Sequence, residues 1–188
     1  MVLTSQEKNA QANEWFDSVP DTGVLRAFGI GLSQTVTALE ESFSDLTNEQ
    51  LNAFPIAGRN NIAWIVMHCL HSLDFFAVSR QTADGASTIA WDARWAWGCP
   101  RPKPEESYPS GAEMQNLLQR IRANALAALA NTTEADLPRH RNASTDETAE
   151  RSYNRVIHHL NMHIRQIWLL RGLQGVTTAW PERFRGKI

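Results

Sequence analysis

The stretch VIHHLNMHIRQ, residues 156–166, carries three of the chain's six histidines. His159 and His163 stand four residues apart, one turn of a helix, so their imidazoles share a side. On a helical projection centred on Leu160, the residues Tyr153, Val156, Ile157, Ile164 and Ile167 fall within about 60° and define an apolar stripe. His163 and His159 flank that stripe at about 60° and 100° on one side, with Gln166 beyond them, while His158 points about 160° away, toward water. A second stretch, WIVMHCLHSLD at residues 64–74, sets His68 among apolar neighbours. It leaves His71 on the margin of the buried face, expects Cys69 in the core and places Asp74 opposite it, in solvent.

Inward imidazoles on two different helices suggest one chemistry in particular. A buried neutral imidazole needs partners for both ring nitrogens, and a metal ion supplies one to several histidines at once. Three imidazoles on an ion leave a position open for water or substrate, the pattern of a catalytic site. The residues alone leave a second reading open, that of polar or core histidines satisfied by hydrogen bonds. Other metal and nucleophile patterns are absent from the sequence: HExxH, paired CxxC, the Glu-x-x-His pairs of di-iron bundles, a Gly-rich phosphate loop and a GxSxG elbow.

The elements that must position these residues read as helices almost throughout. Thr4 with Glu7 forms a capping box for a short helix over 5–16, and a long helix is expected from about Thr22 to Phe43. Gly29 and Gly31 weaken that helix or admit a close neighbour. Thr47 with Gln50 caps a short helix ended by Pro55, and Asn60 or Asn61 caps the helix that carries His68 to about Arg80. Residues 81–109 hold four prolines and Trp91, Trp95 and Trp97, a long connection whose aromatics predict that it packs down, with a helical turn within Trp91–Trp97. Ser110 with Glu113 caps a further helix. The last long helix starts near Thr145 to Thr148 and ends near Gly172 or Gly175. Four long helices predict an all-α, four-helix bundle, and the long crossover permits helices two and three to run parallel, in up-down-down-up order. The chain reads as one domain over 1–188.

Composition bounds what such a domain does. The net charge is −2, so no basic field draws it to nucleic acid, and the short C-terminal RFRGK reads as a solvated tail. Two cysteines do not make a disulfide framework. The opening MVLTSQEKNAQANEW lacks the apolar run of a signal peptide, and no apolar stretch is expected to reach the roughly 20 residues that span a bilayer. The expectation is a cytoplasmic protein acting on a small molecule, without membrane or nucleic-acid partners.

Three stretches carry a family resemblance. LNAFPIAGRNNIAW followed by NIAWIVMHCLHSLDFF, and HLNMHIRQIWLLRGLQG near the end, resemble the helix entry, the second helix and the last-helix motif of the DinB/YfiT-like superfamily of metalloenzymes. The likeness spans most of residues 22–175. It implies that His68, His159 and His163 bind a divalent transition metal such as Zn, Ni or Fe, in a bundle of up-down-down-up order that is often a homodimer. His71, Gln166, Trp91 and Trp95 would then stand around the ion or line its pocket. Where the family often reads His-Arg-Gly-Gln, this chain has His163-Ile164-Arg165-Gln166, which keeps the glutamine in place and displaces the arginine by one residue. Some relatives transfer a low-molecular-weight thiol to an electrophile, so the resemblance implies a thiol-dependent transferase. A metal-dependent hydrolase, or a non-catalytic, stress-related metal-binding dimer, are the alternatives. Arg165 and Arg171 could meet an anionic substrate, although both read as exposed.

Overall fold

A computed structural model describes residues 23–96, 98–141 and 147–176. The capping box and helix expected within residues 4–16 lie outside the described residues, as does Trp97. Every regular element among the described residues is helical. The α-helices are α1 (Gly23–Phe43), α2 (Asn48–Asn52), α3 (Ile62–Ala77), α4 (Gly111–Ala130) and α5 (Ala149–Leu173), with 3-10 turns at Ser79–Gln81, Ala93–Trp95 and Glu134–Asp136.

The caps fall where the sequence places them. Thr47 and Gln50, and Ser110 and Glu113, form reciprocal capping boxes at the starts of α2 and α4. The Asn61 carboxamide accepts the Trp64 N–H at 2.9 Å, and Thr148 caps α5. Each cap satisfies a backbone donor that the first helical turn leaves without a partner. The helix bearing His68 stops at Ala77, and a 3-10 turn carries the chain on to Gln81.

α5 packs on α1 and α3, and α4 also packs on both of these. α5 lies against α1 through Phe28 and Tyr153, whose ring centres are 5.6 Å apart. The pairing continues with Asn161 donating to Thr35 at 3.0 Å and Arg171 donating to the Ser42 carbonyl at 3.0 Å. α4 meets α1 through Gln115, which donates to the Ser44 carbonyl, and Gln119, which donates to Glu40, both at 3.1 Å. Gly31 lets α5 approach closely: a Cβ there would stand 2.9 Å from Ile157 Cδ1.

α3 is the hub. Every residue from Ile62 to Asp74 is buried, because α4, α5 and the connection over residues 82–109 cover it on all sides. Two expectations are corrected here. The segment Ile62–Gln81 is long and apolar enough, by length and composition, to cross a bilayer, but 83% of its apolar window is packed inside the protein. Asp74, expected in solvent, is 2% exposed, because the connection folds over the face that a one-sided helix would turn to water.

Candidate metal centre

α3 and α5 cross where their histidines face each other. The His68 ring lies 4.9 Å from that of His159 and 4.8 Å from that of His163, centre to centre, and the α5 pair are 4.6 Å apart. One nitrogen from each ring falls within 4.8 Å of the others. His68 Nε2 and His159 Nε2 are 2.9 Å apart. Two nitrogens that share an ion at about 2.1 Å stand roughly 2.9–3.4 Å apart, so these three donors could hold one metal ion. His158 is exposed and takes no part.

Two of the three outer nitrogens are already committed. The His68 Nδ1–H donates to the Trp95 carbonyl, and a carbonyl can only accept, so the proton sits on Nδ1 and the Nε2 lone pair faces the cluster. His163 Nδ1 is 2.8 Å from Gln166 Oε1, which fixes the same tautomer there. Such partners orient a ligating imidazole and raise its basicity. Gln166, expected near the site, is one of them. Ser72, which sequence reasoning missed, sets its hydroxyl 3.2 Å from His159 Nε2.

A polar stripe along α3 holds the connection over residues 82–109 as a strap. Trp64 Nε1–H donates to the Arg94 carbonyl at 2.9 Å, and His68 binds the Trp95 carbonyl. His71 Nε2 accepts the Asp92 N–H at 3.2 Å. Asp74 accepts the Thr88 N–H at 2.9 and 3.0 Å and the Ile89 N–H at 3.2 Å. The steps of four, three and three residues keep all four side chains on one helical face. His71 is therefore buried, not at the surface, and Asp74 is a structural acceptor. Arg171, expected on the surface, is also fully buried, with Nη1 and Nη2 on the Asp45 carboxylate at 2.5 and 2.8 Å. It ties the end of α5 to α1 and does not reach the histidines.

A family model described as the DinB superfamily matches residues 32–167, which takes in all three histidines and well over half of the chain. The chain belongs to the DinB superfamily. Members of this superfamily often bind metal, in agreement with the donor set found here. No curated protein matches the chain.

In this DinB-superfamily protein the cluster stands in a wall between two cavities. The first, of about 630 Å³, opens past His163 and Gln166 and is rimmed by Arg59, Arg101, Cys99 and Leu169. The second, of about 470 Å³, lies on the other side of His68 and His159 and is lined by Phe75, Phe76, Trp91 and Trp95. Trp91 and Trp95, expected at the pocket, both line this aromatic chamber. Cys69 is fully buried and its thiol is pushed up by desolvation, which suits a core residue and not a nucleophile.

Burial also sets the charge state of the cluster. Desolvation lowers the pKa of His68 and of His163 from the ordinary value of 6.5. His159 is lowered to about 4, by desolvation first, then by His163, His68 and Arg155. All three rings are therefore neutral near pH 7, the form in which imidazole binds metal.

Proposed function

We propose that His68, His159 and His163 bind one divalent transition metal, Zn, Ni or Fe, and that the protein is a metal-dependent enzyme, a thiol-dependent transferase. The observation that carries this reading is the donor set itself. Three neutral imidazoles converge, and two have their far nitrogens occupied. The cluster gathers no fourth His, Cys, Asp or Glu among the described residues, and cavities lie on both sides. A structural ion tends to be closed by four protein ligands, whereas three with adjoining space suit chemistry.

Bound there, the ion would supply a Lewis acid that favours the deprotonated form of a thiol or of water. The chain's own residues do the rest. Trp95 and Gln166 hold His68 and His163 in the ligating tautomer. Arg59, which is exposed at the mouth of the larger cavity, would attract an anionic group on the thiol compound. The Ser72 hydroxyl is placed to hydrogen-bond a group held beside His159. Attack by metal-activated water would make the same site a hydrolase. The two arginines on the rim of the larger cavity suit a thiol compound that carries an anionic group, which favours the transferase.

The proposal extends to the setting. The α1–α5 contacts rise together in residue number, and the α1–α4 contacts run oppositely. Between α3 and α5 the order is opposite: His68 meets His163, Ser72 meets His159, and Arg80, just past the end of α3, meets Glu147, just before the start of α5. These directions support an up-down-down-up four-helix bundle. A cytoplasmic homodimer completes the reading, with Met162, Leu169 and Leu173, exposed along α5, as the apolar surface it would cover.

The test is elemental analysis of protein purified without a histidine tag, beside a His163→Ala variant. The expected result is about one equivalent of a transition metal in the parent and a large loss in the variant. Trace metal that the substitution leaves unchanged overturns the reading. A panel pairing low-molecular-weight thiols with electrophiles then separates transfer from hydrolysis.

A further inference from the structure

We propose that the smaller cavity is a binding site for a planar aromatic ring bearing a carboxylate, lodged on the side of the histidine cluster opposite the Arg59 mouth. The inference deepens the enzyme reading and rests on it for the role of the ligand as substrate, but not for its binding.

Trp91 is the starting point. It is 63% exposed, the largest exposed apolar side chain among the described residues. An indole left in water normally gains nothing by being fixed, yet this one is held firmly. Its ring packs edge to face on the buried His71 at 4.4 Å and against Phe75 at 6.1 Å. The adjoining Asp92 N–H is tied to His71, and the strap three residues earlier is gripped by Asp74. Buried polar groups thus hold an exposed aromatic at the mouth of a cavity. With Phe75, Phe76 and Trp95 also in the wall, the chamber presents ring edges and faces from several directions. That lining favours a flat aromatic guest, through offset and edge-to-face contacts, over an aliphatic one.

The charge preference comes from a second feature. Arg155 lines the chamber and gives its Nε–H to Glu147 at 2.7 Å. Glu147 also bonds Arg80, whose guanidinium lies over Phe75 and Phe76 at 4.5 and 5.0 Å. Two guanidiniums share one carboxylate, so the trio keeps one positive charge beside the aromatic wall. A carboxylate on the guest ring would meet it, and an ammonium would be repelled. The ring would then sit against the imidazoles of His68 and His159, which form the cavity's inner wall.

The test uses 2-naphthoate as the probe, with 2-naphthalenemethanol as the uncharged ring and cyclohexanecarboxylate as the anion without one. Isothermal titration is run on the protein as purified and after chelator treatment. The expected result is saturable one-to-one binding of 2-naphthoate. Trp91→Ala should weaken it about tenfold. Arg155→Gln should weaken the naphthoate roughly three- to fivefold while leaving the alcohol unchanged. Cyclohexanecarboxylate should bind at least about tenfold more weakly than the naphthoate. Absence of saturation overturns the site, as does binding that Trp91→Ala leaves within about twofold or that Leu169→Ala in the other cavity weakens equally. Equal binding of acid and alcohol overturns the carboxylate. Trp91-dependent binding in protein that never holds metal keeps this site and removes the metal reading; stoichiometric metal with no naphthoate binding does the reverse.

Discussion

Replacing Asp74 tests the strap most directly, because sequence reasoning put this residue in water and the fold puts it inside. Two backbone N–H donors, those of Thr88 and Ile89, depend on its carboxylate. In Asp74→Ala both lose their acceptor. A buried donor left without a partner costs about 1–3 kcal/mol. Thr88 and Ile89 are only half-buried, so water can reach them and the low end applies, about 1–2 kcal/mol each. Alanine's better helix propensity returns roughly 0.5 kcal/mol. The net expectation is a loss of about 1.5–3.5 kcal/mol. Asp74→Asn keeps one oxygen for Thr88 and points an amide N–H at the Ile89 N–H, so it should lose about half as much. Urea denaturation of metal-free protein, followed by circular dichroism at unchanged slope, reads both values. If both variants stay within about 0.5 kcal/mol of the parent, the range of neutral surface changes, the strap is not held as described.

Further outcomes follow from other contacts. Gln166→Ala removes the acceptor that orients His163 and should weaken metal binding about 10–100-fold in a chelator competition, with Gln166→Glu retaining most of it. Metal-free protein should lose stability as pH falls from 7 to 5. His159 is lowered to about 4 from 6.5, so between those values the unfolded chain binds the extra proton, and stability is complete above about 6.5. A urea midpoint that is flat or rises toward pH 5 contradicts this, and His159→Gln should reduce the slope. Arg171→Ala strands the Ser42 carbonyl and breaks the pair with the partly exposed Asp45, for an expected cost of about 2–3 kcal/mol by the same denaturation assay.

Much of the centre was legible in the sequence, for physical reasons. The four-residue spacing of His159 and His163 fixes a shared helix side, and the i, i+3 placement of Gln166 after His163 fixes its hydrogen bond. His68 was found because its apolar neighbours locate a buried face. The same projection failed for His71 and Asp74, since it assumes one buried face and one wet one. α3 is apolar nearly all round, and that was the available signal: such a helix is buried on every side, so its few polar residues must find partners within the protein. Ser72 follows from the same logic. Arg171 gave no comparable signal. Its partner Asp45 lies 126 residues away, and only the packing of α5 on α1 brings them together. The backbone carbonyl of Trp95 could not be read at all, because no side-chain pattern marks which carbonyl of a proline-rich loop will meet a ring.

His68 belongs to two assemblies at once. One nitrogen faces the histidine cluster and the other anchors the loop that carries the indole at position 91. Thermodynamic reciprocity then governs the pair: if the loop's docked state favours ion uptake by some factor, ion uptake must favour docking by the same factor. Metal occupancy and the readiness of the aromatic chamber would therefore rise and fall together, with no moving part beyond a single imidazole.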